Sequence, residues 1–463
     1  MKRYVAVSTM PVPIEQAFAY HDRPGAFERL IPPWKTVTVE RNDRSLQPDS
    51  QVIMRVHMGP LRPKWVARHT RLERPHHFQD IQQSGPFSHW QHDHRFEARG
   101  DKSLLIDDIS YQAPLGKLGS LLSNRLINTE LQTTFAYRHR VTADDLQLLE
   151  RWGTEKKLRV AISGSTGLVG RNLCAMLRLL GHEVIAIKRT PVADGSTDEV
   201  NPWQSEQQAQ RLNGIDAVIH LAGKSIADTR WSPSVKAAIR ESRVDLTKQL
   251  ADRLAKLQQP PSALLCASAS GLYGHHADEE FTEHSVPGDD FLSDVAVQWE
   301  AACRSAAEAG IRVVNLRLGI VLDPRGGALS KMRLPAKLAG GALGGGKQWW
   351  SWIALDDVLG ATYHAMMNED VQGPVNLVSP NPIRQKDFAN VLGKTIGIPA
   401  LLPAPAFGLR LALGEMADYL LLASCRVRPT VLLNTNYEFR FAELAQALMY
   451  CLGYNRLSAQ ETT

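Results

Sequence analysis

The stretch that decides the fold is Leu-Arg-Val-Ala-Ile-Ser-Gly-Ser-Thr-Gly-Leu-Val-Gly, residues 158–170. It begins as a largely apolar run typical of a buried parallel strand, and its glycines open a predicted helix. Glycine lets such a loop turn tightly and lets the backbone approach a pyrophosphate, which then lies at the helix N-terminus. The residues of this predicted dinucleotide-binding loop are Gly164, Ser165, Thr166, Gly167, Leu168, Val169 and Gly170.

Strands and helices alternate along the chain after this loop. Apolar runs predict further strands at Glu183–Ile187, Ala217–Leu221, Ser262–Ser268 and Arg312–Leu318, and a helix is predicted from Asp294 to Ala309. This alternation is typical of an α/β Rossmann fold, a doubly wound parallel sheet whose ligands bind at the carboxyl ends of the strands.

The second predicted strand ends in Ile187-Lys188-Arg189, with no acidic residue to hold an adenosine ribose 2′-hydroxyl. Two cations at this position would instead neutralise a 2′-phosphate, so the sequence favours NADP over NAD. The alternative is a solvated basic strand end that binds nothing.

The third predicted strand ends in small residues that let a cofactor lie against the backbone. This second predicted cofactor-binding segment consists of His220, Leu221, Ala222 and Gly223.

Residues 1–150 have a different pattern, with short strands separated by turns and a long helix at the end. Strands are predicted at Tyr4–Ser8, Thr36–Arg41, Gln51–His57, Trp65–Leu72, Phe78–Gln83, Phe87–Glu97 and Ser103–Tyr111. Helices are predicted at Pro13–Leu30 and from Leu115 to about Arg151. Strands followed by a long helix predict an α+β domain in which a curved antiparallel sheet grips the helix.

One of these strands has two contrasting faces, because side chains alternate along a strand. Trp90, His92, His94 and Phe96 share one face, which we expect to lie toward the long helix and to line either a core or a cavity for an apolar ligand. The two histidines invite a metal interpretation, but no third ligand of matching parity is evident, so we predict no metal site.

Several motifs after residue 158 resemble the extended short-chain dehydrogenase/reductase family, in its nucleoside-diphosphate-sugar epimerase-like branch. The motifs that carry the resemblance are the glycine loop, His220–Gly223, Ser268-Ala269-Ser270-Gly271-Leu272-Tyr273-Gly274, Arg317–Leu322, Gly326–Met332, Trp349–Ile353, Asp356-Asp357 and Ser379–Pro382. The resemblance covers about residues 158–450, with a small C-terminal domain from about Leu401. It implies NADP binding and a sugar-nucleotide substrate.

The first 150 residues resemble the START-like (SRPBCC) helix-grip domains, which hold apolar ligands. The residues that carry this resemblance are Phe78–Asp80, Gly85–Phe87, Trp90–Phe96 and Tyr111–Gly116.

The chain departs from the reductase family at the catalytic position. Family members carry Tyr-x-x-x-Lys on the helix after the fourth strand, where the Tyr is the acid/base and the Lys lowers its pKa. The corresponding stretch, Phe291–Glu300, contains no such pair. The predicted catalytic group is therefore Tyr273 with Ser268 or Ser270, unless the chemistry differs or no catalysis occurs.

A glycine-rich loop with three tryptophans, Gly340–Trp352, is predicted to close over a substrate. The predicted substrate-binding residues are Arg317, Lys331, Lys347 and Trp349. The alternative is a flexible surface loop with buried tryptophans. Asp356 and Asp357 are predicted to cap the helix that follows.

Composition limits the remaining possibilities. The 463 residues carry a net charge of +5 without basic runs, which argues against a nucleic-acid partner. Five widely spaced cysteines without a C-x-x-C motif fit a reducing cytoplasm, and no segment reads as a signal peptide or membrane span.

We therefore predict three domains, at residues 1–150, 156–400 and 401–455. The predicted function is an NADP-binding oxidoreductase or epimerase-like enzyme acting on a small molecule, by resemblance a sugar nucleotide. The alternative is a non-catalytic NADP-dependent regulator or binding protein with an apolar ligand in its first domain.

Overall fold

The computed structural model describes residues 1–57, 59–113, 116–153, 157–193 and 195–454, without the side chains of residues 116–124. The chain forms two compact units. The first comprises residues 1–157, with residues 175–181 and the chain from 449 onward grouped with it, and the second comprises residues 158–174 and 182–448. In the described ranges, no helix combines the length and apolar character needed to cross a bilayer.

The first unit is built on a seven-stranded antiparallel sheet and a long helix, which confirms the predicted α+β helix-grip class. Its elements are β1 (Lys2–Met10), α1 (Ile14–Asp22), α2 (Ala26–Leu30), β2 (Val37–Asn42), β3 (Gln51–Val56), β4 (Lys64–Glu73), β5 (His77–Ser84), β6 (His89–Arg99), β7 (Lys102–Gln112) and α3 (Gly116–Trp152). The strand order is β1-β7-β6-β5-β4-β3-β2, so β2 to β7 form an antiparallel meander and β1 pairs with β7 at one edge.

The helix predicted over Pro13–Leu30 is wrong as a single element, because the chain breaks between α1 and α2. Arg23 is extended with a ψ of 149°, as expected for a residue that precedes a proline. Gly25 then takes a φ of 109°, a conformation that favours glycine.

The predicted inward face of β6 is confirmed. His92 and Phe96 are buried, whereas Arg95 and Glu97 on the opposite face are exposed. The ring of His92 lies 5.4 Å from that of Phe135 on α3, edge to face, so this surface of the sheet packs on the long helix.

The argument that no third metal ligand lies near His92 and His94 is wrong. The antiparallel register between β5 and β6 places Asp80 directly opposite His92. Ligand atoms of Asp80, His92 and His94 all lie within 4.8 Å of one another. Sequence alternation along one strand could not show this, because the third residue comes from the neighbouring strand.

The second unit contains the predicted parallel Rossmann sheet, of seven strands. Its elements are β8 (Arg159–Ser163), α4 (Leu168–Leu179), β9 (Glu183–Ile187), β10 (Glu199–Val200), α5 (Glu206–Gln210), β11 (Ala217–His220), α6 (Pro233–Glu241), α7 (Val244–Leu254), β12 (Ala263–Ala269), a 3₁₀ turn (Ser270–Tyr273), β13 (Glu280–Phe281), α8 (Phe291–Ala301), α9 (Arg304–Glu308), β14 (Arg312–Leu318), β15 (Ile320–Asp323), α10 (Gly327–Lys337), β16 (Gly340–Leu343), β17 (Trp349–Trp350), β18 (Trp352–Ala354), α11 (Leu355–Met367), β19 (Gly373–Leu377), β20 (Ile383–Arg384), α12 (Gln385–Ile396), β21 (Leu402–Ala404), α13 (Ala406–Leu413), a π-helical turn (Asp418–Leu422), β22 (Arg426–Val427), α14 (Thr430–Asn434) and α15 (Leu444–Leu452). The strand order is β10-β9-β8-β11-β12-β14-β19.

Two predictions in this unit are wrong in detail. The helix predicted from Asp294 to Ala309 is two helices, α8 and α9. Asp357 does not cap α11, whose N-cap is Ala354. Its buried carboxylate instead accepts hydrogen bonds from the main-chain N–H groups of Arg440 and Phe441, at 2.7 and 3.0 Å, and so joins the start of α11 to a later segment.

Candidate functional site

The candidate site lies where the order of the parallel strands reverses. The chain passes from β8 to β9 on one side and then returns to place β11 on the other side of β8. The loops that leave β8 and β11 diverge at this switch point, and the crevice between them is where doubly wound sheets bind ligands.

The glycine loop after β8 is packed so closely that side chains would not fit. A Cβ on Gly164, where φ is +69°, would lie 2.9 Å from the main-chain carbon of Leu221, and one on Gly170 would lie 2.2 Å from the oxygen of Gly164. Thr166 and Gly167 are exposed at the tip of the loop, and Ser165, Leu168 and Val169 are half-buried. The residues present therefore fit a dinucleotide, whose pyrophosphate would meet the N-terminus of α4.

Ser163 and His220 hold the two loops together. The Oγ of Ser163 lies 2.7 Å from Nδ1 of His220 and accepts from the N–H groups of Leu221 and Ala222 at 3.1 and 3.2 Å. His220 is fully buried, and burial lowers its pKa to about 4, so its ring is neutral. The buried side chain of His220 and the hydroxyl of Ser163 thus fix the start of the segment that follows β11.

The two cations after β9 have different surroundings. The Nζ of Lys188 lies 3.2 Å from Oε1 of Glu199, which belongs to the short strand β10 that the sequence analysis missed. Arg189 is exposed, and its side chain has no ion-pair partner in the described part of the chain. Arg189 is therefore the cation with the capacity to bind a phosphate.

Arg243 is a candidate cofactor contact that the sequence analysis missed. Its guanidinium lies 5.1 Å from the centre of the Trp299 ring, and a Cβ on Gly223 would be 3.4 Å from its Cζ. Within the described ranges it has no acidic partner, and burial lowers its pKa to about 10. A lone arginine between two helices gives no sequence signal, because only folding brings it to the loop after β11.

The predicted catalytic residues lie together at the end of β12 and in the 3₁₀ turn that follows it, but their hydroxyl groups differ in burial and in hydrogen-bond partners. Ser268 is buried and donates to Oε1 of Glu300 at 2.6 Å. Tyr273 is fully buried and donates to Oδ1 of Asn376 at 2.7 Å, and burial raises its pKa to about 12. Ser270 is half-buried, and its hydroxyl has no hydrogen-bond partner in the described part of the chain.

Arg317 lies beside these residues but is occupied by the protein. Its Nε and Nη2 donate to the two carboxylate oxygens of Glu300, each at 2.8 Å. Its Nη1 donates to the hydroxyl of Tyr273 at 2.8 Å and to the carbonyl of Glu283 at 3.0 Å. These contacts count against the predicted role of Arg317 as a substrate ligand and against Tyr273 as the proton donor, because a substrate oxygen would have to displace them.

The position of the usual Tyr–Lys pair is on α8, which packs against the 3₁₀ turn. Leu292 approaches Gly271 of that turn, and Ala296 joins the buried cluster around Tyr273. Helix α8 contains neither a tyrosine nor a lysine. No cation on this helix could lower the pKa of a tyrosine.

Among the described side chains, none of the other predicted substrate-binding residues contacts Tyr273. Lys331 is exposed, with its Nζ bound to the carbonyl of Ala227 and 3.6 Å from Asp228. Lys347 is exposed. Trp349 lies under the guanidinium of Arg384, 4.2 Å from the ring centre, so its indole stacks on a cation of the protein itself.

Family models match three parts of the chain. Residues 160–377 match the NAD dependent epimerase/dehydratase family, residues 10–141 match polyketide cyclase / dehydrase and lipid transport, and residues 404–451 match a domain of unknown function (DUF1731). An epimerase family protein of Mycobacterium bovis is 38% identical over 292 residues, which span 63% of this chain and 96% of that protein.

The chain belongs to the epimerase family. The epimerase family protein YfhF of Bacillus subtilis is 37% identical over 299 residues, which span 63% of this chain and 97% of that protein. Residues 10–141 add a START-like domain of the polyketide cyclase type to this family unit.

Two solved structures extend the comparison. The nucleoside-diphosphate sugar epimerase from Corynebacterium glutamicum is 34% identical, with a TM-score of 0.81, over 99% of this chain and 91% of that chain. The human epimerase family protein SDR39U1, solved with NADPH, is 32% identical, with a TM-score of 0.59, over 64% of this chain and 99% of that chain. The first match shows that the START-like and Rossmann units also occur together in another chain.

Proposed function

We propose that this epimerase-family protein binds NADP(H), with the pyrophosphate at the glycine loop and the 2′-phosphate on Arg189. The observation that carries the proposal is the guanidinium of Arg189 just after β9, which is exposed and has no ion-pair partner among the described residues. An NAD-binding protein needs an acid at this position. The human relative solved with NADPH supports the same choice of cofactor. Arg243, beside Gly223, supplies a second cation for an anionic part of the cofactor.

The cofactor proposal is tested by comparing affinities for NADPH and NADH by calorimetry. NADPH should bind at least about tenfold more tightly, which corresponds to about 1.4 kcal/mol. Arg189→Ala should abolish most of this preference. Lys188→Ala is the matched control and should change it less, because Lys188 is already paired with Glu199. Equal affinities in the unmodified protein would contradict the proposal.

For activity, we propose that the bound cofactor serves a binding or regulatory role rather than epimerisation through a tyrosine. The hydroxyl of Tyr273 is buried between Arg317 and Asn376, and α8 lacks the Tyr–Lys pair. A tyrosine with a pKa near 12 is a poor proton donor or acceptor at neutral pH. In this regulatory role, the first unit would bind an apolar ligand as a second signal beside the cofactor. The match of residues 10–141 to the polyketide cyclase / dehydrase and lipid transport family supports such a ligand.

One observation favours a second candidate function, a reductase or epimerase-like enzyme acting on a small molecule such as a sugar nucleotide. The hydroxyl of Ser270 is half-exposed and unpaired among the described residues, at the carboxyl edge of the sheet. It could hydrogen-bond a substrate oxygen as charge develops there.

A substrate screen distinguishes the two functions. Sugar nucleotides, aldehydes and quinones are offered with NADPH, and NADPH oxidation reports any reduction. The sugar nucleotides are also offered with NADP⁺, and the epimerised product is followed by NMR, because epimerisation leaves the cofactor's net oxidation state unchanged. If a substrate is turned over, and Ser270→Ala lowers turnover by about 10²–10³-fold without changing NADPH affinity, the enzymatic function is supported. Tight NADPH binding with no turnover across the screen supports the binding role.

A further inference from the structure

The inward face of the sheet in the first unit carries a compact cluster of acids and histidines. Its members are Asp80 on β5, His92 and His94 on β6, Asp107 on β7 and His139 on α3. The register across the sheet pairs Asp80 with His92 and Asp107 with His94, so three neighbouring strands bring these groups together. The cluster lies outside the candidate cofactor site, and the proposed function does not use it.

The spacing between Asp80 and the two histidines is that of ligands around an ion. The Oδ2 of Asp80 lies 3.5 Å from Nδ1 of His92 and 3.5 Å from Nε2 of His94. These distances exceed those of ordinary N–H···O hydrogen bonds, which are about 2.7–3.2 Å. A tetrahedral ion with bonds of about 2.0–2.1 Å separates its ligand atoms by about 3.4 Å.

The second ring nitrogen of each histidine faces another carboxylate. The Nε2 of His92 lies 2.8 Å from Oδ1 of Asp107, and Nδ1 of His94 lies 2.7 Å from the same oxygen, although the latter contact is not aligned as a hydrogen bond. Metal-binding histidines usually donate their other N–H group to a carboxylate, which turns the free lone pair toward the ion. Asp107 therefore holds the ring of His92 in the orientation in which it would face Asp80 as a ligand, and the same carboxylate lies against the ring of His94.

His139 and Ser8 fix Asp107 in turn. The Oδ2 of Asp107 lies 2.5 Å from Nε2 of His139, whose Nδ1 lies 2.8 Å from Oγ of Ser8. The ring of Phe78 stacks on that of His94, with 4.0 Å between the ring centres. These contacts fix Asp107 and the ring of His94, so the side of the cluster away from Asp80 is already ordered without an ion.

We propose that Asp80, His92 and His94 bind one divalent transition-metal ion of the zinc or iron(II) class in the START-like unit. Two imidazoles and one carboxylate suit these ions, whereas Mg²⁺ and Ca²⁺ prefer sites made entirely of oxygen ligands. Three protein ligands leave at least one coordination position open to water or a bound molecule. The side chains of Asp80 and His94 are 16% and 12% exposed, so an ion can reach them.

A simple polar cluster is the alternative explanation, and the distances distinguish the two. Asp107 makes contacts of 2.5–2.8 Å with all three histidines, as a structural carboxylate should. Asp80 comes no closer than 3.5 Å to either of its two histidines. Only the Asp80 side of the cluster has the wider spacing that an ion requires.

The test uses the full chain, stripped with a chelator and titrated with Co²⁺ and Zn²⁺. We expect one ion per chain by elemental analysis, and a Co²⁺ visible spectrum of low-symmetry nitrogen and oxygen coordination. Asp80→Asn and His94→Gln should each weaken Co²⁺ binding by at least about tenfold, the lower limit even for residues that only support metal ligands. His77→Gln is the matched control, because His77 bonds to Asp93 on the same two strands, at 2.8 Å.

Circular dichroism of each variant shows whether it folds. If the variants at positions 80 and 94 do not fold, the Co²⁺ spectrum of the unmodified protein decides, since a surface site would give the weak bands of six-coordinate, water-bound Co²⁺. The proposal is overturned if the unmodified protein binds no stoichiometric ion, if it gives only the water-bound spectrum, or if folded Asp80→Asn and His94→Gln bind Co²⁺ as tightly as His77→Gln.

Discussion

Each of the two units buries a cluster of polar side chains. The two clusters differ in how many of their polar atoms make close hydrogen bonds or ion pairs. In the Rossmann unit, Arg317 donates two hydrogen bonds to Glu300, and its Nη1 donates to Tyr273 and to a carbonyl. In the START-like unit, Asp107 is tightly bound, but Asp80 faces two histidine nitrogens at 3.5 Å. Burial alone would lower the pKa of His94, but Asp107 and Asp80 raise it to about 9.

This difference in hydrogen bonding distinguishes a network that only stabilises the fold from a cluster that can still bind a ligand. A buried network in which every donor and acceptor is paired stabilises one conformation and has nothing left for a ligand. A cluster with two carboxylates and incomplete contacts keeps capacity for a proton or a metal ion. Ser268, Tyr273 and Arg317 have the first character here, whereas Asp80 and the two histidines that it faces have the second.

The largest effect should follow from breaking the satisfied network. Glu300→Ala leaves the guanidinium of Arg317 buried without its counter-ion, and the free energy of unfolding should fall by about 3–5 kcal/mol. Denaturant unfolding followed by tryptophan fluorescence measures this loss.

A matched control lies on the same helix, because Asp294 of α8 pairs with Arg240 at 2.7 Å on the surface. Asp294→Asn should cost less than about 1 kcal/mol, since exposed pairs contribute little. Similar losses in the two variants would mean that the Glu300–Arg317 pair behaves like a surface pair and that the network is not closed.

A buried acid with a raised pKa, Asp357, sharpens the comparison through pH. Burial raises the pKa of Asp357 to about 6, although N–H groups of Arg440 and Phe441 and the hydroxyl of Tyr437 donate to it. Since its ordinary pKa is near 4, the folded state binds a proton more tightly than the unfolded state does. Its contribution to stability is therefore present at pH 4 and lost as the pH rises through 6, by about 3 kcal/mol.

Asp357→Asn isolates this contribution, because the amide does not titrate. The difference in unfolding free energy between the unmodified protein and Asp357→Asn should change by about 2–2.5 kcal/mol between pH 4 and pH 7, because Asp357 is already partly deprotonated in the unfolded state at pH 4. A constant difference across that range would show that hydrogen bonds from the backbone fully offset the burial of the charge.

The sequence predicted the sheets well because periodicity reports burial along each strand. The β-strands Glu183–Ile187 and Arg312–Leu318 were predicted with the limits that the structure has. Errors came where one residue overrides the pattern, as at Pro24 and Gly25 between α1 and α2. The two-residue strand β10 is too short to show any periodicity.

The candidate sites were harder to predict, because they depend on contacts between distant segments. The glycine loop is local and could be recognised from its own residues. In contrast, Asp80 joins His92 and His94 only through the strand register, and Arg243 reaches Gly223 only through folding. Nothing in the motif around Tyr273 shows that Arg317 and Asn376 occupy its hydroxyl.

Among the variants of buried residues, Tyr273→Phe should have the smallest effect on stability, and it gives the sharpest test of function. Removing the hydroxyl leaves Oδ1 of Asn376 without its donor, while Arg317 keeps Glu300, so stability should fall by about 1–2 kcal/mol. NADPH affinity should stay within about twofold, because the hydroxyl of Tyr273 is buried and is bonded to Asn376 and Arg317. If the screen finds a substrate, turnover should fall little, since a positioning residue is lost rather than a proton donor. A loss of about 10²–10⁴-fold in turnover with unchanged stability would instead return proton transfer to Tyr273, as its motif alone predicts.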